Sequence, residues 1–430
     1  MNRRALVLTL DRIHPGYLGC YGNDWIETPN FDRLATQSVV FDRHFVNELR
    51  IDAAPEAWSL DAHRTEDLRE VRPNGRTVPA ILAEAGVKTW LFTESDGQDA
   101  PVVAPPFDEV CAFRGTDSLD AEEDEPPFAQ MVQALTHQLS EISDGSAPTL
   151  IWLKSRGVPA PWLPPREFAD LYLDEFGLAA DTDTDDADDD SDEAAPVDEL
   201  SAAAPAAAKD SSAVIELKYA RALYAAYVTW LDRWVGKLLR ALEASPAWND
   251  SLIIVTAIRG QSLGERGALN EQAAPLRAEL VHTPLFIRLP DRQHDATRRP
   301  ALVQTMDLGP TLLDWFGVAL PEATSENSGA TTGRSLLPLV RNEQESVRES
   351  LFIRTPAELG VHTRTSLYVQ QRSAGQQSGQ GTSFDIGEAV LFEKPGDRWD
   401  MADVASQDPG ECERLRGLLE AHFGESASPA

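Results

Sequence analysis

Residues 4–34 read RALVLTLDRIHPGYLGCYGNDWIETPNFDRL. The run Ala5-Leu6-Val7-Leu8-Thr9-Leu10 carries no charge and stops at Asp11. A short apolar run of this kind reads as a strand covered on both faces of a sheet. Open α/β sheets take their ligands in the crevice beyond the carboxyl ends of the strands. Asp11 and Arg12 therefore lie at a favourable address for a functional site.

Outward from this strand, Asn30 to Ser38 reads as a short helix and Val39-Val40-Phe41 as a second strand. Ser59 and His63, at i and i+4, could share one helix face. A hydroxyl beside an imidazole can be activated, and the same spacing also describes a solvated face. Arg76 to Gly86 predicts a helix stopped by its glycine, followed by a strand over Val87 to Thr93. Residues 94–127 read as acidic and loop-rich. Phe128 to Ile142 predicts a helix, with Met131, Leu135 and Leu139 at helical spacing. Pro148 to Leu153 predicts a strand. From Val214 to Leu242 an apolar stripe of period 3.6 marks the clearest helix, and Ser251 to Ala257 is a fully apolar strand. Near the end, short strands are expected at Ser350–Arg354, Ser366–Gln370 and Ala389–Glu393, with a last helix from Pro409 to Phe423. GQQSGQGTS at 375–383 reads as a flexible hairpin tip.

Acidic residues number 70 and basic residues 38 in 430, a net charge of −32. That field disfavours nucleic acid and anionic membrane surfaces, and repels polyanions unless basic groups are concentrated locally. Cys20, Cys111 and Cys412 form neither a zinc pattern nor a disulfide framework, which fits a reducing compartment. The apolar run before Asp11 is shorter than a signal-peptide core, and no stretch is long enough to span a membrane. A cytoplasmic location is the expectation. Residues 181–193, DTDTDDADDDSDE, admit two readings: a low-affinity calcium buffer or docking tail, or a solvated disordered insertion. The Gly turn and terminal Glu of an EF-hand loop are absent.

LTLDRIHPGYLGCYG followed by TPNFDRLA resembles the opening of the sulfatase family, within the alkaline-phosphatase-like superfamily. Further matches fall in order: RTVPAILAEAG, YAAYVTWLDRWVGKLLRALE, Gly260-Gln261-Ser262-Leu263-Gly264-Glu265-Arg266-Gly267, HTPLFIR, MDLGPTLLDWFG and GRSLLPL. The resemblance implies an α/β fold with a mixed, largely parallel central sheet flanked by helices and a small C-terminal antiparallel subdomain. Residues 1–344 would form the main domain, interrupted by an insertion at 178–212, and 345–430 the subdomain. It also implies a sulfuric ester hydrolase with a divalent metal, calcium or magnesium, and a formylglycine nucleophile.

The family's metal-ligand and nucleophile positions are altered here. Of two adjacent Asp ligands on the first strand, Asp11 remains and the second is Arg12. The pair that completes the metal site is replaced by Ile258 and Arg259. No C/S-x-P/A-x-R signature occurs over residues 42–58, and no His lies between Leu150 and Tyr172. A guanidinium has no lone pair for a metal, and calcium takes six to eight oxygen ligands. The reading is therefore a non-catalytic member without metal. Asp11, Arg12, Arg259 and His282 would line an anion pocket for a sulfated or phosphorylated small molecule or glycan. The alternatives are that these arginines only neutralise Asp11, or that the chain is a sulfuric ester or phosphoester hydrolase with a rebuilt site. His282 also reads as a satisfied structural residue beside a strand.

Overall fold

The computed structural model describes residues 3–49, 77–96, 106–115, 117–143, 147–176, 211–249, 251–266, 269, 276–290, 292–320, 333–372 and 389–424. In chain order the elements are β1 Arg4–Leu10, α1 Pro29–Thr36, β2 Val39–Phe41, β3 His44–Phe45, α2 Val78–Glu84, β4 Lys88–Asp96, β5 Glu109–Gly115, α3 Pro127–Ser143, β6 Thr149–Lys154, α4 Arg166–Leu173, α5 Ser211–Ala244 and α6 Pro246–Asn249. They continue as β7 Leu252–Ala257, α7 Ala278–Val281, β8 Leu285–Arg288, β9 Thr297–Arg299, β10 Val303–Gln304, α8 Leu308–Phe316, α9 Leu337–Val340, β11 Ser350–Arg354, β12 Glu358–Thr363, β13 Ser366–Gln371, β14 Ala389–Glu393 and α10 Pro409–Gly424.

The large sheet runs β5-β4-β6-β1-β7-β8-β2-β9, and β1 lies inside it, between β6 and β7. Both of those pairings are parallel, and β8 alone runs against its neighbours. The alternation along β1 explains why its sequence is apolar throughout. Leu6, Leu8 and Leu10 pack on one face with α1, α3, α4 and α5, whereas Ala5 and Val7 pack on the other with α2, α8 and α9. The one hydroxyl in the run, Thr9, is satisfied by the Leu153 carbonyl and Trp152. A strand with two covered faces has no position for a charged side chain until it leaves the sheet. That point is Asp11.

α5 is the longest helix and the main lid of the first face. Among its apolar residues, Asp232 caps α1 from a distance, accepting from the Asn30 and Phe31 amides at 3.1 and 2.8 Å and from the Asn30 side chain at 2.7 Å. Thr28, the local cap position, makes no side-chain capping bond, so α5 satisfies the orphan amides of α1. Burial raises the Asp232 carboxyl to about 6.

The second sheet, β11-β12-β13-β14, is an antiparallel meander. Three of its strands follow the sequence reading; β12 is an addition, buried along its whole length in an ELGVHT segment that offers no apolar alternation. One loop expectation is also corrected. Residues 94–127 contain β5, an edge strand with exposed residues at every other position, and the stretch after β6 contains α4. α5 starts at Ser211, inside the stretch expected to be insertion. The remainder of that insertion, the acidic run 181–193, the glycine-rich tip, Ser59 and His63 lie outside the described residues. Among the described residues no helix is long and apolar enough to cross a membrane.

β6 and β1 converge beyond their carboxyl ends. The Val158 amide donates to the Asp11 carbonyl at 3.1 Å. Gly157 has φ +65°, and a Cβ there would stand 1.8 Å from that carbonyl oxygen. Gly157→Ala is expected to destabilise the fold by about 3 kcal/mol or more, combining backbone strain with overpacking. Urea unfolding of the variant against wild type measures it; a change under about 1 kcal/mol would mean that the two loops can separate freely.

Candidate functional site

The ladder between β1 and β7 continues one step past the strands, with the Ile258 amide donating to the Leu10 carbonyl at 2.8 Å. This puts Asp11 and Arg259 side by side. The Arg259 guanidinium forks onto the carboxylate, Nε to Oδ1 at 2.8 Å and Nη2 to Oδ2 at 3.0 Å. Both residues are buried, at 6% and 3% exposure. Arg12 adds a third cationic contact, Nη1 to Asp11 Oδ2 at 3.3 Å, and its amide donates to Oδ1 at 3.0 Å. The Arg12 backbone is left-handed, with φ +57°. The Tyr224 hydroxyl holds that turn, donating to the Arg12 carbonyl at 2.8 Å while accepting from the His14 amide at 2.9 Å.

The neighbourhood of this fork contains residues that the sequence reading passed over. His14 accepts from the Gly16 amide through Nδ1 at 2.9 Å, which leaves Nε2 as the protonated nitrogen, 3.8 Å from Glu265 Oε1. Burial pushes the His14 imidazole down to about 4. Trp399 lies over this ring at 5.1 Å. The C-terminal region is pinned there by Arg266, which donates to the Trp399 and Asp400 carbonyls at 2.8 and 2.7 Å. Arg221 stands one helical turn before Tyr224 on α5, with Nε donating to the Leu263 carbonyl at 2.8 Å. Its charge acts on both His14 and Tyr17, and its terminal nitrogens make no hydrogen bond among the described residues. A basic residue one turn from a buried tyrosine in an amphipathic helix reads as a solvated position, so nothing in the sequence singled it out.

Asp11, Arg12 and Arg259 thus meet, and His282 stands apart from them. Its Nε2 engages the Asp42 carbonyl at 2.9 Å, and its ring stacks on Phe45 at 5.1 Å with Tyr21 edge-on at 6.2 Å. None of these contacts involves the Asp11 cluster. His282 belongs to a seam of buried imidazoles with His44 and His362, where Phe45 also packs on His362 at 4.6 Å.

A divalent cation does not fit this donor set. Both Asp11 oxygens accept guanidinium N–H groups, and Ile258, buried at 2% exposure, offers no donor atom. Among the described residues no group of three or more His, Cys, Asp or Glu side chains converges. What remains is one carboxylate with two guanidinium groups, a centre of net positive charge inside an acidic chain.

The family model described as Sulfatase matches residues 4–318, and one described as N-sulphoglucosamine sulphohydrolase, C-terminal, matches residues 274–369. Iduronate 2-sulfatase of Homo sapiens is 25% identical over 340 residues, covering 67% of this chain and 60% of that protein. The multifunctional alkaline phosphatase superfamily protein PehA of Trinickia caryophylli is 30% identical over 132 residues, 30% of this chain and 24% of that one. The chain therefore matches from about a quarter to three fifths of the length of these relatives. A solved structure described as a complex with its substrate D-glucosamine-2-N,6-O-disulfate superposes with TM-score 0.75 at 18% identity, covering 99% of this chain and 98% of that one. At this identity the superposition shows the shared fold.

The buried histidines predict an acid-side stability profile. Burial lowers His14 to about 4, His44 and His282 to about 3, and His362 well below the ordinary 6.5. Their neutral forms favour the fold fully above pH ~6.5, and this contribution is lost as pH falls toward the folded values. Each unit of depression contributes about 1.4 kcal/mol. Asp232 and Glu94, raised to about 6 and about 7, act in the opposite sense. Urea unfolding from pH 7 to pH 4 should show a falling stability, with a shallower slope in His282→Asn. An unchanged slope would mean that His282 takes up protons equally in the folded and unfolded states.

Proposed function

This chain belongs to the sulfatase family, and from that premise we propose that it is a non-hydrolytic member that binds an oxyanion group, sulfate or phosphate ester, at the Asp11 cluster. The observation that carries the reading is the buried fork between Arg259 and Asp11. A sulfatase needs a cation to offset sulfate charge and a strong oxygen nucleophile. Here Arg259 offsets Asp11 and spends its fork on that carboxylate. Arg12 is the more accessible cation, with a side chain 26% exposed against 4% for Arg259. Arg221 supplies terminal nitrogens from the facing helix. Guanidinium donors at such a mouth suit tetrahedral oxyanions.

In this reading the roles divide. Arg259 is a positioning residue that holds the Asp11 carboxylate and keeps the strand ends closed. Arg12 and Arg221 touch the ligand. The solved neighbour described as bound to D-glucosamine-2-N,6-O-disulfate makes a sulfated sugar the first ligand to try. A location inside the cytoplasm, expected from the sequence, would restrict the choice to small sulfated or phosphorylated metabolites.

The test has two arms. Protein purified with calcium and magnesium, then dialysed, should retain no stoichiometric metal by elemental analysis and should leave 4-nitrophenyl sulfate unhydrolysed. Retained metal together with turnover would overturn the reading in favour of a hydrolase with a rebuilt site. For binding, inorganic sulfate should raise the melting temperature of wild type and lose this effect in the Arg12→Ala, Arg221→Ala double variant. An equal sulfate response in both proteins would remove these residues from the site.

Removal of Arg259 should have a different signature. Arg259→Ala leaves buried Asp11 with only the longer contact to Arg12, and breaking a buried pair costs up to about 3–5 kcal/mol. Adding Asp11→Asn to that variant should restore part of the loss in urea unfolding. If the double variant is as unstable as the single one, the charge of Asp11 is not what Arg259 holds.

A further inference from the structure

A cavity of about 490 Å³ opens at the seam between the main domain and the antiparallel sheet. Its walls include Gln304 and Arg334 from the main domain, Arg348, Ser350 and Phe352 on or beside β11, and His422 on α10. None of these residues takes part in the Asp11 cluster. The volume falls within the roughly 300–1,000 Å³ of small-molecule sites.

Two features give the cavity a defined chemistry. One wall is aromatic: the Phe352 and His422 rings stack face to face, 3.8 Å apart and 3° from parallel. Burial lowers the His422 imidazole to about 4, so the wall is neutral near pH 7. The second feature is the balance of charge. Arg348 is neutralised by a bidentate pair with the fully buried Asp307. Glu349 pairs outward with Arg364 at 3.3 Å. Arg334 donates through its amide to Asp307 Oδ1 at 2.8 Å and through Nη1 to the Val347 carbonyl. Its guanidinium has no acidic partner among the described residues. The Ser350 hydroxyl likewise has no hydrogen-bond partner there. The cavity therefore offers one uncompensated cation and one free hydroxyl beside a flat aromatic wall.

We propose that this cavity is a second ligand site, for a small planar aromatic monoanion of the aryl carboxylate class. The carboxylate pairs with Arg334 and accepts from Ser350, and the ring lies against the Phe352–His422 wall. Because the walls come from both parts of the chain, the occupied site clamps the antiparallel sheet to the main domain.

The experiment uses the full chain and 4-bromobenzoate. Crystals soaked with it should show bromine anomalous density in this cavity, next to Phe352 and His422. Bromine elsewhere, or nowhere, overturns the proposal using wild-type protein alone. By titration calorimetry, benzoate should bind, while acetate, which lacks the ring, and benzamide, which lacks the charge, should bind at least about tenfold more weakly. Arg334→Gln should weaken benzoate binding by about tenfold or more, and Arg12→Ala should leave it unchanged. Equal binding to the Arg334→Gln variant, or loss in the Arg12→Ala variant, would place benzoate outside this cavity.

Discussion

Asp11 is a carboxylate at the end of a strand that lies well inside an eight-stranded sheet. Burying a charged group there without a compensating charge costs far more than a folded domain can spare. Arg259 supplies that charge through two hydrogen bonds, and it comes from the neighbouring strand end because β1 and β7 are paired in parallel through Leu10 and Ala257. The interaction fixes several things together. It sets which way the loops after β1 and β7 turn. It determines that a net positive centre faces the crevice. It also commits the carboxylate oxygens, which decides what else can bind there.

The arrangement of one carboxylate and two guanidinium groups is electrostatically self-consistent. A divalent cation needs several anionic ligands, so removing the ion alone would leave carboxylates repelling one another. Here one carboxylate meets two guanidinium groups. The sum over Asp11, Arg12 and Arg259 is a single positive charge. Against a chain of net charge −32, that local sign is what an anion would meet on approach. The long-range field works against capture of a polyanion, while a small singly charged group is repelled less and gains from the contact.

The core strands were legible in sequence because burial on both faces leaves an uninterrupted apolar run, as in β1, β6 and β7. Elements with mixed exposure were not: β5 has a half-wetted edge pattern, and β12 contains Gly360, His362 and two threonine or glutamate ends that interrupt any period. The site divides along the same line. Asp11, Arg12 and Arg259 could be named because family-like frames flank them. Arg221 has no frame, only a position one turn from Tyr224, and its relevance arises from a helix crossing a strand end more than 200 residues away in sequence. His282 carries a frame as well, beside the β8 strand, yet the frame records packing on Phe45 rather than a place in the crevice.

That contrast explains why a recognisable scaffold can persist around changed chemistry. Gly260 follows Arg259 directly, and a Cβ there would lie 2.0 Å from the Glu279 carbonyl oxygen. The backbone approach that demands glycine is set by the loop crossing α7, where the Gly260 amide donates to the Leu280 carbonyl at 2.8 Å. No metal enters that requirement. Asp232 is retained for an equally local reason, as the distant cap of α1. Residues of this kind are constrained by contacts that exist with or without a bound ion. Arg12 and Arg259 are held instead by the Asp11 carboxylate at the strand ends. The fold thus sets where the strand ends meet, and Asp11, Arg12 and Arg259 set the charge found there.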